Sequence, residues 1–470
     1  MARRTELAIR PSLLWLACAL AGAAVWIVIG SGGIAGHALR GLLRTNPLPT
    51  GAAQLVSVEP LPEMDGEQCA WMPASAPAAS AAALWQSPGS ARSGDPAAGP
   101  LSPAEAAKRA PLRTIHDPFP SFSSVAVDSK HDEIVMTDEN LFQILVYDRK
   151  TNTPPKATMS EPRRVIGGTK TKIEFQCAVY IDPESGDIYA VNNDTVDTLA
   201  IFSRNAKGNV SPDRELHTPH GTFGISMDED RKEMYLTVQH ANALVVYDKM
   251  AKGEDKPLRM LQGNSTRLAD PHGIALDKKD GVMFITNHGS LREFPKGSAA
   301  NKDDTNIPTR DAVPGSGHMV PSSITVYAMD AKGDTAPLRV ITGPNTQLDW
   351  PTGMAVDEER GELYVANDMG DSILVFRTDA QGDVAPIRVL RGPKTGMKNP
   401  TGVYLDRKEQ ELVVANFGNH TATTYKLPAG GDTAPVRKLR SGPPDTPALM
   451  IGNPGSVAYD SKREEILVPN

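Results

Sequence analysis

The chain has 470 residues, with 49 lysines and arginines against 56 aspartates and glutamates, and a formal net charge of −7. This charge, with no basic run beyond the first residues, argues against a nucleic acid partner. Three cysteines (Cys18, Cys69 and Cys177) are too few for a disulfide scaffold. A Cys69–Cys177 disulfide is compatible with export, but the long sequence separation gives it little support.

The amino terminus is typical of a membrane segment. Three arginines and one acid occupy residues 1–12, before an apolar run at 13–29 and a small-residue tail that ends at Gly36. With this tail the segment reaches the ~20 residues needed to cross a bilayer. The arginines favour a cytoplasmic tail at 1–12 and an uncleaved anchor at 13–36. A cleaved signal peptide is the alternative. Both place the rest of the chain outside the cytoplasm, in the periplasm or at the cell surface.

Residues 37–110 form the next predicted region, a linker. From residue 46 onward it is dominated by alanine, proline, serine and glycine. Such a composition buries little apolar surface, so we expect a disordered or semi-extended tether.

The rest of the chain is repetitive. The pattern Pro-x-Arg recurs seven times at the same point of a longer repeat, and the arginines of these seven copies lie 51, 50, 45, 80, 49 and 49 residues apart. The arginines are Arg113, Arg164, Arg214, Arg259, Arg339, Arg388 and Arg437. A period of about 40–50 residues indicates a solenoid, a propeller or an array.

One unit, residues 337–385, shows what each repeat contains. Four short β-branched and aliphatic runs are separated by glycine, proline, aspartate or asparagine, and no run is long enough for a helix. Four short antiparallel strands repeated radially are typical of a propeller blade.

The strand inventory predicts the number of blades. The innermost strand type recurs seven times, from residues 124–128 to 456–460, and so does the second type. The third type occurs six times, and the first Pro-x-Arg strand precedes the first complete unit. We therefore predict an all-β, seven-bladed propeller over 111–470, closed by a composite blade from both chain ends. That blade is either small or completed by residues 54–59.

Three second strands carry a family resemblance: LYVAND at 363–368, IYAVNN at 188–193 and LVVANF at 412–417. They resemble the YVTN and NHL repeat families of β-propellers, over roughly residues 111–470. The resemblance implies the fold. It leaves the activity open, because those families include enzymes, ligand sensors and protein-binding scaffolds.

Acidic and amide side chains recur where the second strand ends. The positions, one per blade, are Asp138, Asn192, Val238, Asn287, Asn367, Asn416 and Asn470. A ring of oxygen donors at the channel mouth would suit Ca²⁺ or another hard cation. Because the residue recurs in almost every blade, we favour the alternative that these side chains bond the turn backbone.

Several histidines occur at positions where the other repeats have different residues. His272 and His288 both fall in the fourth blade, and His220, His240 and His420 lie in nearby loops. Neutral imidazoles facing one mouth could bind a divalent metal ion or act as acid and base, with Asp368 beside them. We take His220, His272 and His288 as the candidate metal ligands. The alternative is loop histidines without a joint role.

Two further features concern the scaffold. An insertion at 291–321 separates the second and third strands of the fourth blade, and it is either a lid over the channel or a mobile loop. The outer-strand arginines are expected to pair with acids of the Gly-Asp turns, namely Asp334, Asp383 and Asp432.

The leading functional hypothesis is a membrane-anchored scaffold that binds a small molecule or a protein on its mouth face. The alternative is a metal-assisted hydrolase, lactonase or lyase that uses the mouth histidines. A sugar- or cell-wall-binding protein ranks third, because few aromatic side chains (Phe223, Trp350 and Phe417) are available for stacking.

Overall fold

The computed structural model describes residues 117–193, 196–295 and 312–449, together with residues 458–460, 462 and 465–467 near the carboxyl end. In this part of the chain no helix is long and apolar enough to span a bilayer. The predicted anchor at 13–36 and linker at 37–110 lie outside the described residues.

The structure is an all-β propeller. Its described residues form six antiparallel four-stranded sheets, each with its strands in chain order from the inner to the outer edge. The helical elements among these residues are two short 3₁₀ turns, Pro344–Thr346 and Phe417–Asn419.

The strands of the first three blades are as follows. Blade 1 contains β1 Phe122–Asp128, β2 Glu133–Asp138, β3 Gln143–Asp148 and β4 Arg164–Gly167. Blade 2 contains β5 Gln176–Ile181, β6 Ile188–Asn192, β7 Thr198–Phe202 and β8 Arg214–His217. Blade 3 contains β9 Thr222–Asp228, β10 Glu233–Val238, β11 Ala243–Asp248 and β12 Arg259–Gln262.

The other three blades follow the same order. Blade 4 contains β13 Pro271–Asp277, β14 Val282–Asn287, β17 Ser323–Ala328 and β18 Arg339–Thr342, with the short hairpin β15 Ser290–Leu291 and β16 His318–Met319 inserted. Blade 5 contains β19 Pro351–Asp357, β20 Glu362–Asn367, β21 Ser372–Arg377 and β22 Arg388–Leu390. Blade 6 contains β23 Pro400–Asp406, β24 Glu411–Asn416, β25 Thr421–Lys426 and β26 Arg437–Arg440.

The hydrophobic core lies between neighbouring blades. The second and third strands are buried on both faces, because each sheet packs against a sheet on either side. One cluster joins Val191 and Leu199 of blade 2 to Leu236 and Val245 of blade 3. Another joins Val127 and Met136 of blade 1 to blade 6 residues such as Val413. Blades 1 and 6 therefore share a core like any other pair of neighbours.

Glycines allow the inner strands to approach closely around the axis. A Cβ added to Gly273 would lie 2.0 Å from the Thr352 carbonyl oxygen, and one added to Gly353 would lie 2.6 Å from that of Thr401. A Cβ on Gly402 would lie 2.8 Å from Cα of Ser124. The last full blade thus meets the first at backbone distance, which leaves no room for a further inner strand between them.

Ion pairs repeat the same neighbour relationship. The cation that follows the third strand reaches back to the last aspartate of the preceding blade's inner strand in three places. These pairs are Arg204–Asp128 at 3.8 Å, Lys249–Asp182 at 2.5 Å and Arg149–Asp406 at 2.6 Å. Because the third pair joins blade 1 to blade 6, the ring closes with six blades.

The prediction of seven blades is wrong for the described residues. The predicted inner pair of the seventh repeat does form, but only as a two-stranded sheet, β27 Ala458–Asp460 with β28 Glu465–Leu467. The first Pro-x-Arg strand, around Arg113, lies outside the described residues. The count of repeats predicted seven blades and not six because it assumed that every copy of a strand type joins the ring.

The predicted partners of the outer-strand arginines were also wrong. Four of the arginines form paired hydrogen bonds with the glutamate that begins the second strand of their own blade: Arg164 with Glu133, Arg259 with Glu233, Arg388 with Glu362, and Arg437 with Glu411. The turn acids instead accept hydrogen bonds from backbone N–H groups of the preceding blade. Asp334, for example, accepts one of 2.7 Å from the N–H of Ser265. These four arginines thus fasten strands within a blade, whereas Arg214 and Arg339 donate to backbone carbonyls of the next blade.

Candidate functional site

A channel runs along the propeller axis. Its cavity of ≈ 390 Å³ is lined by the inner strands of all six blades, and most of its lining side chains are apolar. Each inner strand begins where the second strand of its blade ends, as the pairing of Pro271 with Asn287 shows. We call this end of the channel the mouth, and loops between second and third strands emerge there.

The recurring amide side chains are buried below the mouth surface. Asn192, Asn287 and Asn367 are fully buried, and each accepts a hydrogen bond from the backbone N–H of the residue two positions before the inner strand. Asn416 is equally buried and donates to Thr421 and Thr423. Asn192, Asn287 and Asn367 therefore act as turn braces, the arrangement that the recurrence in almost every blade favours.

Two imidazoles of blade 4 meet at the mouth. His272 is the second residue of β13, and His288 directly follows β14, so the antiparallel pairing of these strands brings the two together. Their rings stack at a centroid distance of 3.4 Å with an interplanar angle of 20°. Both side chains are almost fully buried, with relative exposures of 5% and 4%.

Aromatic rings extend this stack across three blades. Phe223 of blade 3 lies 4.2 Å from His272, and Trp350 before blade 5 lies 4.7 Å from His288. Trp350 is 48% exposed, so the column of rings ends at the solvent. Burial lowers the pKa of His272 to about 3. Burial and the neighbouring His272 also lower the pKa of His288. Both rings are therefore neutral at physiological pH.

Asp270 completes a group that could hold a metal ion. One ligand atom from each of Asp270, His272 and His288 lies within 4.8 Å of the other two. The carboxylate oxygens of Asp270 are 3.8 Å from Nδ1 of His272 and 4.0 Å from Nδ1 of His288. Burial raises the pKa of Asp270 to about 6, although Gln239 acts in the opposite direction. Asp270 was not predicted as a ligand, although its position two residues before His272 was a usable signal.

The remaining candidate histidines form separate groups. His220 and His240 are exposed, and their rings lie 5.1 Å apart. Nδ1 of His220 is 3.0 Å from a carboxylate oxygen of Asp197. Among the described residues, the metal-type cluster therefore contains two of the three predicted ligands, with Asp270 in place of His220.

His420 belongs to a buried contact between the start of the propeller and blade 6. Its Nδ1 lies 2.9 Å from the Pro120 carbonyl oxygen, and since a carbonyl only accepts, Nδ1 carries the proton. Ser121 Oγ is 3.4 Å from the same nitrogen, and Asp117 is 3.4 Å from Nε2. Despite the Ser-His-Asp composition, Nδ1 cannot act as a base toward Ser121, so the contact is structural.

Acidic side chains occupy the mouth on other blades. Asp368 directly follows Asn367 and accepts a hydrogen bond of 2.9 Å from Asn399. Burial raises the pKa of Asp368 to about 6. Burial also raises the pKa of Glu139 to about 8, against the effect of Cys177, and the charges of Asp138 and Asp368 add to the increase. Glu139 was absent from the predicted site, although it occupies the same repeat position as His288 and Asp368.

The insertion and the cysteines are only partly described. The insertion begins and ends at the mouth with the β15–β16 hairpin, and Asn264 exchanges hydrogen bonds with the backbone of Phe294 at its base. Residues 296–311 lie outside the described part, so the alternatives of a lid and a mobile loop stay open. Cys177 is buried in the channel wall, whereas Cys69 lies outside the described residues.

Comparison with known proteins adds one local match. Residues 316–447 match the family described as "Lactonase, 7-bladed beta-propeller". The matched segment runs from the end of the insertion through blade 6, so it does not by itself count the blades. No curated protein matches the chain.

Among solved structures, the chain is similar to "Kuenenia stuttgartiensis Hydrazine Synthase", with 13% identity and a TM-score of 0.43. The alignment covers 68% of this chain and 99% of that one. This similarity is too low to bear on function.

Proposed function

We propose that this β-propeller binds a small ligand with a flat face at the channel mouth, on the surface formed by Phe223, His272, His288 and Trp350. The observation that carries the proposal is the solvent-exposed ring of Trp350 on top of a buried ring column. Ligand sites combine apolar and aromatic walls with a few placed polar groups, and Asp270 and Asp368 supply such groups here.

Backbone strain supports a specific role for Trp350. The residue before the inner strand has a left-handed backbone in blades 2 to 6, with φ of 33°, 77°, 58°, 51° and 44° at Phe175, Gly221, Asp270, Trp350 and Asn399. Glycine, asparagine and aspartate tolerate this conformation, whereas a tryptophan there costs roughly 1–2 kcal/mol. Strained residues cluster at ligand sites. An exposed Trp350 held at this cost is therefore better explained by binding than by packing.

Tryptophan fluorescence provides the test, because Trp350 is the only tryptophan after residue 92. The full-length chain is titrated with a panel of planar acids and lactones. A binding ligand should change an emission component that Trp350→Phe removes, and Trp350→Ala should weaken binding about 10-fold or more, since one aromatic stacking contact is worth ~0.5–1.5 kcal/mol beyond the buried area. Leu258→Ala, which removes an exposed side chain directly before the outer strand β12, is the control. Binding that is unchanged in Trp350→Ala would contradict the proposal.

A second candidate function is lactone hydrolysis, favoured by the local family match, whose segment includes Trp350 and Asp368. Water would add to the ester carbonyl, the ring C–O bond would break, and a hydroxy acid would form. The neutral imidazole of His272 can accept a proton from water, and its pKa of about 3 makes it a weak base, so the expected rate is low. Acid release from a lactone should then fall on His272→Gln and persist in His220→Ala. Equal rates in both variants would remove this candidate.

The location of the propeller is part of the proposal. The apolar segment at 13–36 and its flanking arginines support a membrane anchor, with the mouth displayed outside the cytoplasm. Protease added to intact cells or spheroplasts should digest the propeller and spare the first residues. Protection of the whole chain would contradict this location.

A further inference from the structure

We infer that Asp270, His272 and His288 form a binding site for one divalent transition metal ion, with a coordination position left open toward the mouth. The inference goes beyond the ligand proposed above, since metal binding can be measured with no ligand present. Failure of either test therefore leaves the other standing.

The geometry of the three side chains is the first argument. In a tetrahedral zinc site with bonds of about 2.0–2.2 Å, ligand atoms lie roughly 3.3–3.6 Å apart. The three donor atoms here already lie within 4.8 Å of one another. A metal ion lies in the plane of each imidazole that binds it, so both rings would have to rotate out of their parallel stack to share one ion, while the pairing of β13 with β14 already holds the two residues side by side.

His272 already has the hydrogen bond that a metal ligand needs. Its Nδ1 lies 2.9 Å from the Asp270 carbonyl oxygen, which can only accept, so Nδ1 is the donor. This bond leaves the lone pair on Nε2, so Nε2 would be the metal ligand, whereas the 3.8 Å distance to the Asp270 carboxylate belongs to Nδ1. Metal-bound histidines almost always donate their other ring N–H to a carbonyl or carboxylate, which fixes the tautomer and the ring orientation.

His288 supplies an independent argument. Within the described part of the chain neither of its ring nitrogens makes a hydrogen bond of good geometry, although the Pro351 backbone carbonyl acts on its pKa as a partner, and its side chain is only 4% exposed. A buried polar group left unsatisfied costs about 1–3 kcal/mol, and such groups in native proteins call for an explanation such as an ion. A metal ion between His288 and Asp270 would satisfy one nitrogen.

The donor set selects the kind of ion. Two imidazoles and one carboxylate suit Zn²⁺ or another borderline ion such as Fe²⁺ or Co²⁺. Ca²⁺ prefers six to eight oxygen ligands, so it should not compete. Three protein ligands also leave a position for water or an exogenous ligand, which is the pattern of reactive zinc sites and not of closed structural ones.

The test uses the full-length chain stripped with a chelator and titrated with Zn²⁺ by calorimetry. One Zn²⁺ per chain should bind, Ca²⁺ should not compete, and Asp270→Asn and His288→Ala should each weaken Zn²⁺ binding about 100-fold or more. His220→Ala, at a nearby exposed histidine, should bind as the parent does. Co²⁺ should give visible absorption bands that change in His272→Gln.

Several outcomes would overturn the inference. They are clearly substoichiometric Zn²⁺ binding, equal affinity in Asp270→Asn and the parent, or an equal loss in His220→Ala. Circular dichroism shows whether each variant has folded. Because Asp270→Asn keeps the side-chain shape, it remains informative if a histidine variant does not fold.

Discussion

The guanidinium of Arg149 lies 2.6 Å from the carboxylate of Asp406, and this buried pair joins the first blade to the last. Both side chains are about 95% shielded from solvent. Burial acts to lower the pKa of Arg149, but the hydrogen bond and charge of Asp406 raise it overall. Backbone bonds accompany the pair: the Thr153 and Ser160 N–H groups donate to the carbonyls of Lys438 and Arg440 on the outer strand of blade 6.

The first prediction concerns this closing pair. Arg149→Met should destabilise the propeller by about 3–5 kcal/mol, because it leaves Asp406 buried without its partner. Arg204→Met is the matched control, since Arg204 is 27% exposed and lies 3.8 Å from Asp128. Its effect should be clearly smaller. Urea unfolding measures both, and a double variant with Asp406→Leu should recover part of the loss. Equal effects at the two sites would argue against six-bladed closure.

The second prediction concerns the inner ring. Gly402→Ala should destabilise the protein by more than 2 kcal/mol, since the new Cβ would lie 2.8 Å from the Ser124 backbone, which cannot move without opening the ring. Gly430→Ala is the control in the same blade, because its Cβ would meet nothing closer than 3.6 Å. Thermal unfolding compares the two. A seventh inner strand between blades 1 and 6 would instead make Gly402→Ala mild.

The third prediction concerns a buried amide. Asn367→Leu should cost about 1–3 kcal/mol, because the Asp349 N–H and the Gln347 carbonyl would lose their partner inside the turn. Zn²⁺ affinity should be unchanged, as Asn367 is not among the inferred ligands. The free energy of unfolding and the Zn²⁺ affinity are measured on the same preparation. Normal stability with lost metal binding would mean that the amide ring is a ligand site after all.

The fourth prediction concerns acid stability. Burial acts to raise the pKa of Glu411, but hydrogen bonds from Arg437 and Lys426 outweigh it and lower the pKa to about 2. The folded pKa is thus below the unfolded value, so the stabilisation is present above pH 4.5 and is lost as the pH falls toward 2. Glu411→Gln should flatten the fall in unfolding free energy over that range. An unchanged slope would contradict the assignment.

The fifth prediction concerns Glu139, whose pKa is shifted in the opposite direction from that of Glu411. Its folded pKa of about 8 lies above the ordinary value, so its contribution to stability decreases as the pH rises from 4.5 to 8. Glu139→Gln should therefore stabilise the protein at pH 8 and have little effect at pH 4. Thermal unfolding at the two pH values measures this. A stabilisation equal at both values would point to another cause.

Much of the architecture could be predicted from local sequence. Each blade needs short strands, tight turns and buried aliphatic residues in a fixed order. A segment of about 50 consecutive residues contains all of them. The bracing role of Asn192, Asn287 and Asn367 was the favoured interpretation for the same reason, since a residue that the blade scaffold needs recurs in almost every blade. Repetition also marked His272 and His288 as departures from the pattern.

Local sequence alone specifies the repeating blade, because the strands and turns of a blade depend on residues that are close together in the chain. The number of blades that close the ring is decided by tertiary contacts, since it depends on whether Gly402 and Asp406 meet Ser124 and Arg149, more than 250 residues away in the chain. Tertiary contacts also decide which side chains share the mouth. Asp270 joins the two imidazoles, whereas His220 turns toward Asp197, because side-chain direction is set by packing between blades and not by spacing along the chain.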